Sequence, residues 1–252
     1  YRARQIAEWM YQRGATGFAD MTNLSKRLRE ELSSAFVIGR PKCKDRLDSA
    51  DGHTTKFLLE FADGTAVETV LMRQPYGNSI CVSTQAGCNM GCAFCASTLH
   101  GMARDLTAGE MLAQVLFIER FLGQENGKVD TMVLMGSGEP LMNYDQVLSF
   151  LRLVHATYVL GMSYRSITLS TSGIVPRIYA LAEEGIPISL SISLHAPEDA
   201  LRSRLMPINR KYPLADVVKA AKNYADKTKR RVTYEYVLID QVNDGETQAR
   251  EL

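Results

Sequence analysis

The chain has 252 residues and a mass of 28.0 kDa; at 46% hydrophobic and 23% charged it can bury a sizeable core in one large or two small domains. No run approaches the roughly 18 uninterrupted apolar residues of a membrane span, and Tyr1 opens a charged amphipathic stretch where a secretory signal would carry an apolar core; no membrane and a cytoplasmic location are therefore expected. Lys+Arg number 29 against Asp+Glu 28, a net charge of +1 that by itself gives no reason to expect a nucleic acid partner.

Ile6, Trp9 and Met10, followed by Gly14, form an apolar stripe closed by a glycine, which predicts an amphipathic helix over 2–13; a second is predicted over about 24–35. Between Val37 and Met72 the pattern becomes β-rich. The runs 57–61 and 67–71 are separated by Asp63-Gly64, the signal of a hairpin with a type I′ turn. Residues 1–75 are thus expected to form a small N-terminal α+β accessory region and 76–252 a second domain. From Ile80 strands are predicted at about 80–85, 130–135, 166–170, 187–193 and 232–238. Helices are predicted between them at 107–121, opened by the capping box Thr107-Ala-Gly-Glu110, and at about 144–156, 175–184 and 214–227. Apolar strands alternating with helices argue for a parallel sheet covered by helices, either open or closed into a full or partial (β/α) barrel. Residues 246–252 read as a helix cut in mid-turn, and position 1 is not Met, so the chain is expected to be a piece of a longer protein.

In such folds chemistry collects just after the strands. After the first of them comes Cys81-Val-Ser-Thr-Gln-Ala-Gly-Cys88-Asn-Met-Gly-Cys92-Ala-Phe-Cys95, which holds four of the five cysteines. Three at C-x3-C-x2-C on one glycine-containing loop can converge on one metal centre. Three thiolates suit a cubane of four irons with one iron left open, whereas structural zinc would want a fourth ligand, for which only His100 is near. After the second strand, Gly136-Ser137-Gly138-Glu139-Pro140 is a turn whose glycines admit close approach and whose carboxylate could accept from a ligand ammonium. The third strand ends in Ser170-Thr171-Ser172-Gly173 and the fourth in Ser193-Leu194-His195-Ala196-Pro197. Four strand ends therefore direct polar groups to one mouth.

The cysteine spacing, with Phe94 before the third cysteine, and the Gly-Glu-Pro turn resemble radical S-adenosylmethionine enzymes, whose usual fold is an α/β partial (β/α)6-type barrel. Within them the chain is similar to the RlmN family of adenine-C2 RNA methyltransferases. That resemblance runs through the cysteine loop, Gly-Ser-Gly-Glu-Pro, Leu-Ser-Thr-Ser-Gly, Ser-Leu-His-Ala-Pro, Leu205-Met-Pro-Ile-Asn209, Glu235-Tyr236 and Val242-Asn243-Asp244. It implies a [4Fe–4S] cluster on Cys88, Cys92 and Cys95, and S-adenosylmethionine held by Gly138, Glu139, Ser170, Ser193, Leu194 and His195. It further implies Glu68 as the base that removes the adenine C2 proton and Cys81 as the thiol that resolves the intermediate through a transient disulfide. The methyl-carrying cysteine of the family, and an asparagine that contacts the cofactor, are expected beyond Leu252, so residues 1–252 alone are expected to be inactive in methyl transfer. The implied partners are 23S rRNA, tRNA and a flavodoxin-type electron donor, with the enzyme a monomer. The alternatives are a Cfr-like C8 methyltransferase, from which Gln85-Ala86-Gly87 departs where Gln-Cys-Gly is expected, and a non-catalytic zinc-stabilised RNA-binding module. Cys43 has no expected role.

Charge also has a regional pattern. Residues 1–46 carry 10 Lys+Arg against 5 Asp+Glu, and residues 199–231 carry 10 against 3. Two basic faces flanking the barrel mouth are expected, as phosphate contacts would need.

Overall fold

The computed structural model describes all of residues 1–252. The predicted first helix is α1 (Arg2–Ala7), continued as a wider π-helical turn over Glu8–Gln12. It packs with α2 (Lys26–Ala35), whose N-cap hydroxyl, Ser25, accepts from the Leu28 N–H at 3.3 Å. Between them Ala15, Phe18, Met21 and Leu24 form a small core of their own, against which Ile6, Trp9 and Leu28 pack.

An antiparallel meander follows: β1 (Lys42–Asp48), β2 (Thr54–Glu60), β3 (Ala66–Gln74) and β4 (Gly77–Cys81). β2 alternates strictly, with Thr55, Phe57 and Leu59 buried, because one face lies on the core and the other does not. Its turn into β3 is not type I′. Only Gly64 has a positive φ (+83°), and the Asp63 carboxylate accepts from the Thr65 N–H at 3.0 Å, which satisfies the turn with Asp63 in an ordinary conformation.

β4 also begins the parallel part of the sheet. Its neighbours in order are β7 (Thr131–Leu134), β8 (Ile167–Thr171), β9 (Ser189–Ser193) and β10 (Val232–Glu235), so one eight-stranded sheet joins the meander to five parallel strands. Helices α3 (Ala108–Gly123), α4 (Tyr144–His155), α5 (Val175–Glu183) and α7 (Leu214–Thr228) supply the crossovers. The capping box of α3 forms in both directions: Thr107 Oγ1 accepts from the Glu110 N–H and Glu110 Oε2 from the Thr107 N–H at 2.8 Å. A single core of 41 buried hydrophobic residues runs from Phe57 in the meander to Tyr224 on α7, so meander and barrel are packed as one body.

Two departures bear on the site. The strand expected over 80–85 stops at Cys81, and Gln85–Gly87 becomes β5, paired antiparallel with β6 (Met102–Asp105) in a separate two-stranded clamp across the base of the cysteine loop. The strand expected to reach 238 stops at Glu235. There the Asn243 amide takes over the chain, donating to the Val237 and His195 carbonyls and accepting from the Ile239 N–H. Helices α6 (Asp199–Leu205) and α8 (Glu246–Glu251) complete the chain.

Candidate active site

The parallel strands end together on one edge, and the cysteine loop folds over it. β5 and β6 close the loop at Gly87 (φ +79°), where a Cβ would run into the Gly101 carbonyl, so only glycine fits. The Ala93 N–H donates to the Leu205 carbonyl at 2.8 Å and ties the loop to α6. Cys88 is buried, Cys92 and Cys95 are half-buried, and all three line a cleft of about 260 Å³ with Gly138, Glu139, Ser170, Ser193, His195 and Glu235. Burial pushes the Cys92 thiol up to about 12, and the negative potential of Cys88, Cys95 and Glu139 adds to the shift; burial also raises Cys88. Cys88 and Cys92, both pushed up by burial, share the cleft with Cys95, a donor set that a cationic centre would stabilise as thiolates. No three His, Cys, Asp or Glu side chains are grouped around a single ion position. The exposed His100 lines a different cleft and does not stand with the three thiols as a fourth zinc ligand, and three thiols without a fourth suit a cluster with one open iron.

Glu139 forms the floor. Only 3% exposed, its carboxylate accepts from the Leu141 N–H at 3.0 Å and the Ser172 N–H at 2.7 Å, and burial raises its pKa. Its turn lies close over the neighbouring loop: a Cβ on Gly138 (φ +103°) would sit 2.5 Å from Gln85 Cβ, and one on Gly136 2.6 Å from Ser83 Oγ. His195 is in the left-handed region (φ +57°), uncommon outside glycine, and such strain concentrates at sites. Its Nδ1 accepts from the Val237 N–H at 3.0 Å, which assigns the remaining proton to Nε2; burial lowers its pKa, so the ring is a neutral donor. Leu194 is buried and does not line the cleft: its N–H donates to the Glu235 carbonyl and its carbonyl accepts from Arg202.

A second cleft of about 760 Å³ adjoins the first, and Cys95, Met135 and Gly136 line both. It contains Glu68 and Cys81. Glu68 is paired with Lys56 at 2.7 Å, and its carbonyl accepts from Ser83 Oγ at 2.6 Å. Burial pushes the Cys81 thiol up to about 11, partly offset by a hydrogen bond from the Met135 N–H. The exposed Cys43 on β1 belongs to neither cleft.

Four residues of the site have no role assigned by the sequence, although Gln85 and Glu235 lie within motifs of the resemblance. Gln85 joins the clamp to the Glu139 turn, accepting from the Glu139 N–H at 2.8 Å and donating to Asp105 at 2.6 Å. Asn143 holds the Thr84 and Leu106 carbonyls. Glu235 accepts from the Ser170 and Ser191 hydroxyls at 3.1 and 2.7 Å, and Arg202 is fully buried behind the strand ends. The second basic run does not form one face at the mouth. Besides buried Arg202, Arg230 and Arg231 precede β10 at the opposite edge of the sheet, and Lys227 is paired with Glu183.

A family model described as the radical SAM superfamily matches residues 82–251, and one described as the ribosomal RNA large subunit methyltransferase N-terminal domain matches residues 1–38. A protein of Symbiobacterium thermophilum named as a probable dual-specificity RNA methyltransferase RlmN is 53% identical over the whole of this chain, which spans 68% of that protein. The chain belongs to the RlmN family of radical SAM enzymes. A relative of the same name from Bacillus subtilis is 50% identical, with 69% of its length spanned. A crystal structure of a radical SAM methyltransferase from Sphaerobacter thermophilus superposes with a TM-score of 0.95 at 44% identity, over all of this chain and 74% of that one. Membership of the RlmN family implies S-adenosylmethionine and a [4Fe–4S] cluster as cofactors, in keeping with the three-thiol cleft. No helix is long and apolar enough to cross a membrane.

Proposed function

We propose that the chain forms the catalytic core of a methyltransferase that places a methyl group on carbon 2 of an adenine in 23S rRNA and in tRNA. The observation that carries this reading is the junction of the two clefts at Cys95, Met135 and Gly136, with three thiols and Glu139 on one side and Cys81 and Glu68 on the other. Adenine C2 is electron-poor and bears no acidic proton, so polar methyl transfer fails; cluster and S-adenosylmethionine supply one-electron carbon-radical chemistry when bound.

In this reading Cys88, Cys92 and Cys95 would hold the cluster through three thiolates and leave it a site open to S-adenosylmethionine. Glu139 accepts from the cofactor ammonium, and the neutral His195 donates from Nε2. Ser170 donates its single proton to Glu235, so toward a ligand it acts as an acceptor. Ser193 lines the same cleft, and Leu194 acts only through its backbone. Carbon-radical addition at C2 would make that carbon's proton acidic, and Glu68 would remove it in the second cleft. Once the substrate adduct has given up its unpaired electron to the cluster and its C2 proton to Glu68, the Cys81 thiolate would attack the sulfur of the methyl-carrying cysteine that the family mechanism requires: the S–S bond forms as the S–CH2 bond breaks, and the methylene leaves with the bonding pair and takes up a proton as the product's methyl group.

The helical unit and the first three strands of the meander, residues 1–75, act as the RNA-binding accessory region and residues 76–252 as the barrel domain. The excess charge of residues 1–46 supports that division of labour. The reading also calls for a flavodoxin-type electron donor and a monomer working on RNA in the cytoplasm. Mass spectrometry of nucleosides from 23S rRNA fragments and tRNA, after treatment with the intact, anaerobically reconstituted enzyme, tests it. 2-Methyladenosine is expected; 8-methyladenosine would reassign the chemistry, and unmodified adenosine would reject it.

A further inference from the structure

Arg202, on α6, is 0% exposed and forms no ion pair with any carboxylate. Its Nε donates to the Leu194 carbonyl at 3.1 Å, Nη1 to Asn209 Oδ1 at 2.7 Å, and Nη2 to the Ser172 and Ser193 carbonyls at 2.8 and 2.9 Å. All four acceptors are neutral. A guanidinium taken out of water costs several kcal/mol unless an anion compensates it. The acidic side chain linked to it, Asp199, is itself exposed and reached only through the Asn209 amide, which donates to Asp199 Oδ1 at 2.8 Å. On its other side α6 carries the cysteine loop: Leu205 accepts from the Ala93 N–H, and Cys92 packs on the cluster formed by Ala196, Leu201, Leu205 and Met206.

We propose that Arg202 is a positioning residue of the radical chemistry: its fork fixes the cofactor-facing ends of β8 and β9, and its charge, in direct contact with no carboxylate, raises the reduction potential of the cluster held beside it. The inference rests on the cluster assignment above. Three thiolates around an iron–sulfur core make a net anion, and an electron added to it is stabilised by a fixed positive charge in a low-dielectric setting. The same side chain ties the third and fourth strand ends together, so charge and geometry share one residue. That is why lysine cannot replace it: one ammonium cannot span carbonyls on two strands and an amide at once.

The test is an EPR-monitored redox titration of the intact, anaerobically reconstituted protein beside R202M, R202K and D199N, after iron and sulfide analysis of each. R202M is expected to titrate at a lower potential than wild type, and D199N, which removes the partial counter-charge, at a higher one. R202K is expected to stay near the wild-type potential while its affinity for S-adenosylmethionine falls several-fold. A wild type that takes up no cluster overturns both the cluster assignment and this inference. A loaded wild type whose variants all titrate alike, or an R202K shifted as far as R202M, overturns the inference alone. Should R202M fail to fold, D199N decides, and an unchanged potential there refutes the charge role.

Discussion

The Cys81 thiol is a group of the proposed chemistry whose ionisation the fold controls by burial. It ends β4 facing the second cleft, and burial pushes it from the ordinary 9.0 to about 11 against the pull of the Met135 N–H. At pH 8 that two-unit difference lowers the thiolate fraction about 100-fold. The greater nucleophilicity of a more basic thiolate returns about tenfold of this, so alkylation should be about tenfold slower than for an ordinary free thiol. The assay is iodoacetamide labelling of the cluster-loaded protein between pH 7 and 10, with the Cys81 peptide followed by mass spectrometry. The Cys81 rate should climb about tenfold per pH unit without levelling off. Because the folded value lies above the unfolded one, this group's contribution to stability is present below about pH 9 and lost as pH rises toward 11. A rate that plateaus at or below pH 9 would refute the reasoning, since it would mean that burial does not dominate the thiol.

Replacing Glu139 with Gln removes the charge that an ammonium would meet; a charge-assisted bond of about 1.5–3 kcal/mol predicts roughly 10- to 150-fold weaker S-adenosylmethionine binding by equilibrium dialysis, with iron content unchanged. Gly138→Ala places a Cβ 2.5 Å from Gln85 Cβ at φ +103°, so strain and overpacking together should lower stability by about 2–5 kcal/mol in urea unfolding of the metal-free protein. The Asp63 carboxyl, held down to about 2 by hydrogen bonds from Arg104 and Thr65, contributes stability present above pH 3.8 and lost as pH falls toward 2. In Asp63→Asn that acid-dependent fall in the unfolding midpoint should flatten, and equal slopes for the two proteins would count against the pairing.

The predicted helices and parallel strands lie within a few residues of those observed because their signals are local: α3 announces itself by its capping box, and the strands by short apolar β-branched runs. The cysteine loop and the Glu139 turn were legible for the same reason, since ligand spacing and glycine placement are written along the chain. What was illegible is held by long-range polar contacts. Nothing near Arg202 in sequence indicates that its fork reaches Ser172, 30 residues away, or that Gln85 meets the Glu139 backbone across 54 residues. β1 escaped prediction because all seven of its residues are exposed, so no alternation marks it. The strand overrun at 236–238 has the same origin: apolar Val237 and Leu238 read as strand, while the Asn243 amide that turns the chain lies several residues on.

The interval between Glu68 and Cys81 follows from the hairpin that joins meander to barrel. Gln74 pairs with Gly77 across the Pro75-Tyr76 turn, and the register then sets Met72 opposite Ser79 and Val70 opposite Cys81. Opposed residues of an antiparallel pair share a face, and so do residues two apart on one strand; Glu68, Val70 and Cys81 therefore all line the second cleft. A one-residue change in the turn would send Cys81 to the face now occupied by Ile80, which is fully buried in the core. β4 also pairs parallel with β7, whose continuation carries Met135 and Gly136 into the wall shared by the two clefts. The strand that ends the antiparallel meander is thus the one that opens the parallel barrel, and that shared strand is what lets a thiol and a carboxylate from the meander side face the cysteine loop of the barrel.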